Sequence, residues 1–418
     1  MDYTFSTLGA IIGLVIAIIL IIKKVQPAYS LILGALVGGL IGGGGLTDTV
    51  NTMVSGAQSM MSSVLRIMTS GILAGALIKT GSAEKIAETI VEKLGQKRAI
   101  IAISLATMLI CTVGVFIDIS VITVAPIAIA IGRKADLTKS SILLAMIGGG
   151  KAGNILSPNP NTIAASEAFG VDLTALMMEN IVPAIGAVVV TIVLATMLSK
   201  KGKDAIEAVE ENKTDKKLPS FIAAIAGPLV VIVLLALRPI ADISIDPLIA
   251  LPVGGLISIL ATGNAKNTVA FTEFGLSKVI GVSVLLIGTG TIAGIIKASA
   301  LQADVITVIE AMNMPAFVLA PISGILMAAA TASTTAGTTV ASQTFGSILI
   351  EANVAALSAG AMVHAGATVL DSLPHGSFFH ATGGSVNMSI NDRMKLIPYE
   401  ACIGLTSTIL AVLWFLIF

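Results

Sequence analysis

Asp118, Lys151 and Asp371 stand inside stretches otherwise too apolar to solvate a charge. An isolated ion at membrane depth is costly, so such groups must pair, protonate or meet a charged guest. Lys151 therefore either supplies a fixed positive charge for an anionic substrate or pairs with one of the aspartates. Asp118, Asp371 or a histidine would carry a coupled proton. All three histidines, His364, His375 and His380, fall within one short region. No His-x-x-x-His spacing or nearby cysteine accompanies them, so a metal site is not expected. Proton handling (His364), substrate hydrogen bonding (His375) and plain satisfaction of helix ends all remain open.

Two segments around these groups are built to interrupt helices. The first reads Gly148-Gly149-Gly150-Lys151-Ala152-Gly153-Asn154-Ile155-Leu156-Ser157-Pro158-Asn159-Pro160-Asn161-Thr162. Its glycines and prolines predict a break, after which Asn161 or Thr162 caps a new half-helix whose free N–H groups suit an anion. A P-loop is excluded, because Ala152 follows Gly150-Lys151 where Ser or Thr is required. The second segment runs from His364 through Asp371, Pro374 and His375 to Ser377. Ser157, Asn159, Asn161, Thr162, His375 and Ser377 are the polar groups these breaks offer to a ligand. Ser333, Thr334 and Thr335 add a neutral hydroxyl cluster suited to a carboxylate or polyol, although hydroxyls in lipid also bond back to their own helix.

The elements that position these residues are membrane helices. The chain has 418 residues, 55% hydrophobic and 11% charged, with a mean hydropathy of +0.99. A soluble globular domain carries about a quarter charged residues, so that class is excluded. Basic and acidic residues number 24 each, which leaves no basic field for nucleic acid. Cys111 and Cys402 lie in apolar runs and form no ligand motif. Apolar runs of nearly spanning length cover residues 8–22, 28–46, 64–78, 177–198, 221–237, 247–262, 279–296 and 403–418. Residues 99–131 and 315–350 are too long for one span and have polar centres. Residues 140–169 and 354–384 hold the Gly- and Pro-rich breaks.

Asp2 precedes the first run and Lys23 and Lys24 follow it, which argues against a signal peptide and places the N-terminus outside. If residues 99–131 form a re-entrant hairpin, the lysine cluster over 200–217 falls in the cytoplasm and both termini lie outside. Arg66, Arg238 and Lys297 are exceptions to this charge bias.

The lysine cluster bisects two similar halves. Ala74-Gly75-Ala76-Leu77-Ile78-Lys79-Thr80 echoes Ala293-Gly294-Ile295-Ile296-Lys297-Ala298-Ser299. Each is followed by an amphipathic stripe: Ile86, Ile90, Val91 and Leu94 in one half, Leu301, Val305, Ile309 and Met312 in the other. A two-legged apolar region follows, tipped by Phe116-Ile117-Asp118-Ile119-Ser120 in one half and Thr331-Ala332-Ser333-Thr334-Thr335-Ala336-Gly337 in the other. Then comes a broken helix and a plain span. The expected fold class is an all-α integral membrane protein, an inverted repeat of five transmembrane helices plus one re-entrant hairpin each. Broken helices meeting near the midplane are how secondary transporters hold their substrates.

In the 148–162 break with its Pro-Asn-Pro-Asn run, in the 364–385 segment and in the spacing of hairpin and broken helix, the sequence resembles the gluconate:proton symporter family. That family lies within the ion-transporter superfamily that includes the dicarboxylate/sodium symporters. The resemblance covers nearly the whole chain and implies an elevator-type fold, often dimeric. Scaffold spans would occupy 1–98 and 219–313. The moving hairpins, broken helices and last spans would occupy 99–199 and 314–418, with 200–218 as a cytoplasmic linker. The dicarboxylate relatives carry a Ser-Asn-Thr signature at the hairpin tips that helps bind sodium. Here the tips read Asp118-Ile119-Ser120 and Ser333-Thr334-Thr335, and Lys151 stands in the first break. A lysine can replace the sodium charge, which favours proton coupling.

The resulting expectation is a multi-pass cell-membrane symporter for protons and gluconate, or a related sugar acid or hydroxy acid, with no cofactor. Its partners would be a small organic anion, the bilayer and a second copy of the chain, not nucleic acid. The rivals are a sodium-coupled carboxylate symporter of the same superfamily and a passive anion channel. No Gly-x-Ser-x-Gly elbow or His-Glu-x-x-His motif supports an enzyme.

Overall fold

The computed structural model describes residues 4–199, 217–241, 243, 245–311 and 315–418. Most of the expected linker over 200–218 lies outside the described residues, as do Asp2, Met312 and the side chains of Arg238 and Ile309. No β-strand occurs among the described residues, only isolated bridges such as Phe5 to Ser299.

The first half begins with α1 (Thr7–Ile22), α2 (Pro27–Ile41), α3 (Leu46–Ser59) and α4 (Met61–Lys79). The amphipathic α5 (Ser82–Leu94) follows, then α6 (Ala99–Thr112) and α7 (Ile117–Lys134), and the broken pair α8 (Lys139–Ile155) and α9 (Pro160–Phe169). A short α10 (Leu173–Glu179) leads into α11 (Ile181–Ser199). The second half repeats much of this order. Its elements are α12 (Phe221–Ala241), α13 (Pro247–Ala261), the long α14 (Thr268–Lys297) and α15 (Leu301–Ala311). Then come α16 (Leu319–Thr331), α17 (Thr334–Glu351), a second broken pair α18 (Ala356–Ala367) and α19 (Ser377–Ser385), α20 (Ile390–Met394) and α21 (Ile397–Ile417).

Among the described residues, Met61–Lys79, Ile181–Ser199, Ala265–Lys297 and Ile390–Ile417 are long and apolar enough to cross a bilayer. Shorter apolar helices such as Thr7–Ile22 and Pro247–Ala261 accompany them. The chain is an all-helical, multi-pass membrane protein. Between α5 and α6 the axis bends by 104°, so the amphipathic helix turns sharply into the apolar one, a broken or re-entrant arrangement.

Two readings shift. α3 is a helix of its own, ended at Met60, where the apolar pattern drew attention only to 64–78. α14 spans 30 residues instead of 279–296, because Thr272, Glu273, Ser277 and Lys278 interrupt the apolar run without interrupting the helix. α4 and α14 cross at glycine: a Cβ on Gly275 would lie 1.9 Å from the Gly71 carbonyl oxygen. Such small-residue crossings hold helices together where lipid supplies no hydrophobic drive.

α8 is buried on every side from Ser141 to Ile155 and packs on α6, α7 and α11. The glycines expected to break it instead lie inside it. A Cβ on Gly149 would meet the Ser104 oxygen at 2.1 Å, and one on Gly153 the Met108 oxygen at 2.3 Å. Glycine there serves close approach, and the helix stops only at Leu156, two residues before Pro158. Reversals at 113–116 and at Ala332–Ser333 join α6 to α7 and α16 to α17. Gly114 has φ +106 and Ala332 φ +47, left-handed geometry that turns the chain within a few residues.

Candidate substrate site

Lys151 on α8 and Asp371 in the α18–α19 break face one another in the interior, their side chains 1% and 2% exposed. Lys151 Nζ lies 2.6 Å from Asp371 Oδ1 and also donates to the Thr368 carbonyl. The other carboxylate oxygen, Oδ2, accepts from Thr334 Oγ1 at 2.6 Å, and Ser372 Oγ donates to Oδ1 at 3.0 Å. Stripping water from two ions costs several kcal/mol each; attraction and these added hydrogen bonds offset that cost only when the geometry is good. The paired aspartate is Asp371; Asp118 stands apart on α7.

In front of Asp371 lies a cavity of about 240 Å³. Its wall brings together the first reversal (Phe116 to Ile119, including Asp118), the second (Ser333, Thr334, Thr335) and the second break (Asp371, Ser377, Phe378). Gly376 precedes α19 without any side-chain cap, so the first N–H groups of that helix, beginning at Ser377, are left to water or a ligand. Lys278 and Val282 of α14 close the remaining side. Sequence reasoning passed over Lys278. The available signal was a lysine near the middle of a long apolar helix; its Nζ lies 4.9 Å from the Phe274 ring centroid.

The first break is arranged differently. Asn159, not Asn161 or Thr162, caps α9: its Oδ1 accepts from Asn161 N at 2.9 Å and Thr162 N at 3.2 Å. Its Nδ2 donates to Asn154 Oδ1 at 2.7 Å, and Asn161 Nδ2 reaches the same oxygen at 3.0 Å. Thr162 Oγ1 donates to the Ser157 carbonyl at 2.6 Å. Ser157, Asn159, Asn161 and Thr162 are thus buried in a knot of mutual hydrogen bonds that does not line this cavity. Ser157 Oγ, Asn161 Oδ1 and Asn154 Nδ2 stay without a partner. His375 Nε2 lies 3.2 Å from the Ala330 carbonyl, behind the second reversal. His364 is fully buried on α18 with neither ring nitrogen partnered. Among the described residues no His, Cys, Asp and Glu group could hold a metal.

Two further arginines lock neighbouring elements through ion pairs. Arg393 and Glu400 pair in the interior at 1% side-chain exposure each, with Arg393 NH2 also 3.3 Å from Thr382 Oγ1, tying α19 and α20 to α21. Arg66 on α4, an exception to the charge bias, reaches Asp246 through Nε at 2.9 Å and NH2 at 2.6 Å, and also bonds Glu167 on α9.

The fold is similar to that of the Alcanivorax borkumensis YdaH transporter, whose crystal structure aligns with a TM-score of 0.65 over 88% of each chain at 14% identity. In sequence the chain is 54% identical, over 99% of both lengths, to an "Uncharacterized transporter" of Haemophilus influenzae. It is 26% identical to the high-affinity gluconate transporter of Escherichia coli over 67% of this chain and 69% of that one. The D-serine transporter DsdX of Escherichia coli matches at 21% over 80% of each. The family model described as GntP family permease matches residues 5–417. With a match that runs nearly end to end over spans, reversals and both breaks, the chain is a membrane transporter, not an enzyme, and belongs to the GntP permease family.

Proposed function

We propose that this permease couples inward movement of a proton to that of gluconate or a related sugar acid or hydroxy acid. The observation that carries this reading is the cavity backed by the Lys151–Asp371 pair. The empty pair is neutral. An organic anion entering alone would add an uncompensated charge in a low-dielectric site, whereas an anion accompanied by a proton on Asp371 leaves the site neutral again. Protonation also frees Lys151 from its counter-ion, so that its charge attracts the incoming carboxylate. The hydroxyls of Ser333, Thr334 and Thr335 and the uncapped N–H groups at Ser377 suit a polyhydroxy acid.

The movement we infer is an elevator in an inverted repeat. The matching orders α4–α11 and α14–α21, hairpin then broken helix then span, support two opposed halves. Residues 1–98 and 219–313 would be the fixed, dimerising scaffold, 99–199 and 314–418 the moving body, within the cell membrane and with both termini outside. A ligand drives such a change only through different affinity for its two ends, and neutralisation of the site supplies that difference.

A second reading has its own observation. Asp118 and Lys278 present opposite charges to one small cavity, which suits a zwitterionic amino acid. Reconstitution separates the possibilities. Proteoliposomes should accumulate labelled gluconate under an inward proton gradient, without sodium, and unlabelled D-serine should compete weakly. Uptake that requires sodium, or stronger competition by D-serine, would overturn the coupling or the substrate assignment respectively.

A further inference from the structure

α17 carries polar residues as adjacent pairs every four positions, Thr334 and Thr335, Thr338 and Thr339, Ser342 and Gln343, followed by the single Ser347. At 3.6 residues per turn each row drifts about 40° per step, so the two rows wind gradually around the helix over about 20 Å. The upper end opens on the cavity in front of Asp371, through Thr334 and Thr335. The lower end opens on a separate cavity of about 370 Å³, whose wall includes Ser55, Ser59, Lys297, Ser342, Gln343 and Ser347.

The middle of the row is unusual in its hydrogen bonding. Thr338, Thr339 and Ser342 are at most 1% exposed, yet their hydroxyls have no partner. Buried threonines such as Thr107 and Thr191 bond back to their own helix, to Ile103 at 2.9 Å and Ala187 at 2.6 Å, whereas Thr344 on α17 and Thr49 on α3 share the unpartnered state. Unpartnered buried hydroxyls in a row call for water, because a hydroxyl left dry loses its hydration without gaining a hydrogen bond in return.

We propose that this double row is a hydrated seam, and that it carries the coupling proton from the lower cavity to Asp371. The inference rests on the proton-coupled reading above. The proton passes along waters bridged by Ser342, Thr339 and Thr338 and reaches Thr334. The Thr334 hydroxyl gives its own proton to Asp371 Oδ2 and takes one from the seam, so the carboxylate becomes a neutral acid and the seam resets. The charged groups around that terminus are Lys151 behind it and Asp118 and Lys278 across the upper cavity, with His364 on α18 buried nearby in the chain. Lys297 at the lower mouth is exposed to solvent, where salt screens it beyond about 8 Å.

Hydration can be read without any substrate. In Thr338→Cys and Thr339→Cys the thiol should exchange to S–D as soon as the protein meets D₂O, followed by the infrared S–H band against the wild-type background. Val340→Cys, on another side of the same helix and equally buried, should keep its S–H. Engineered thiols at 338 and 339 that exchange no faster than the one at 340 overturn the seam. The proton route is read in proteoliposomes with labelled gluconate. Thr338→Val/Thr339→Val should slow gradient-driven accumulation about tenfold while counterflow exchange at equal pH stays near wild type. The corresponding Ser variants should restore accumulation. Unchanged accumulation in the Val variants, or a parallel fall in exchange, overturns the route. Fast thiol exchange in Thr338→Cys and Thr339→Cys, together with wild-type protein that accumulates no gluconate, would sink the gluconate reading and leave the seam standing.

Discussion

Asp371 is bound by one buried lysine and two hydroxyls, so none of its lone pairs can be changed in isolation. Removing one partner of a buried pair leaves the other charge stranded, at about 3–5 kcal/mol, whereas removing both can be close to neutral. Lys151→Met should therefore abolish uptake and lower the melting temperature sharply. The double variant Lys151→Met/Asp371→Leu should also fail to transport but melt close to wild type. Melting curves of the single and double variants form a cycle. Additive losses would show that the two residues do not act as a unit. Asp118 lacks such a partner among the described hydrogen bonds of the site, which distinguishes the two aspartates that sequence alone treated alike.

At the scale of elements, the order and hand of packing depend on places where a side chain is absent. Gly149 faces the Ser104 backbone so closely that even a methyl group displaces α6 from α8. Gly149→Ala should destabilise by about 1–3 kcal/mol, read as a lower melting temperature in detergent, where Ala152→Gly on the same helix would cost about 1 kcal/mol. Arg66 joins α4 to the start of α13 and to α9. Its hydrogen bonds to Asp246 hold that carboxyl below the usual carboxylate range. A lowered folded value means that the contribution is fully present above the ordinary carboxylate pKa of about 4 and fades as pH falls through the lower folded value. Wild-type melting temperature should accordingly drop in that acid window, and Asp246→Asn should flatten the drop. An unchanged acid limb in that variant would place the sensitivity on other groups.

For the molecule as a whole, the cavity is enclosed by two reversals, one break and α14, elements drawn from both halves of the chain. In the elevator proposed above, α14 would stay while the reversals move. A short bifunctional thiol reagent joining Lys278→Cys to Thr335→Cys, both on the cavity wall, should stop transport, and reduction of a cleavable linker should restore it. A cross-linked protein that still transports would mean that these elements do not move apart. The same arrangement explains why the three histidines, although clustered in sequence, do not converge: His364 is on α18, His375 lies behind the second reversal, and His380 bonds the Pro374 carbonyl at 2.8 Å.

Composition and apolar periodicity determine that this chain lives in a bilayer as helices, because few other structures satisfy the backbone there. They also locate the interruptions around Pro158, Pro160 and Pro374 and at the polar tips, though not the one at Met60, and Pro126 and Pro252 stand inside helices. Asp118, Ser333, Thr334, Thr335, Asp371 and Ser377 are among the larger set of polar residues that depth and type single out, and one cavity wall holds these six but not Lys151, the first-break residues, His364 or His375. What tertiary structure decided was partnership. Lys151 and Asp371 are 220 residues apart and Arg66 and Asp246 are 180 apart, and no local pattern says which opposite charge will be nearest. The same limit hid Lys278 and led the first break to be read as a ligand site. A polar side chain in a gap looks alike in sequence whether it faces a guest or, as Asn159 does, the ends of its own helices.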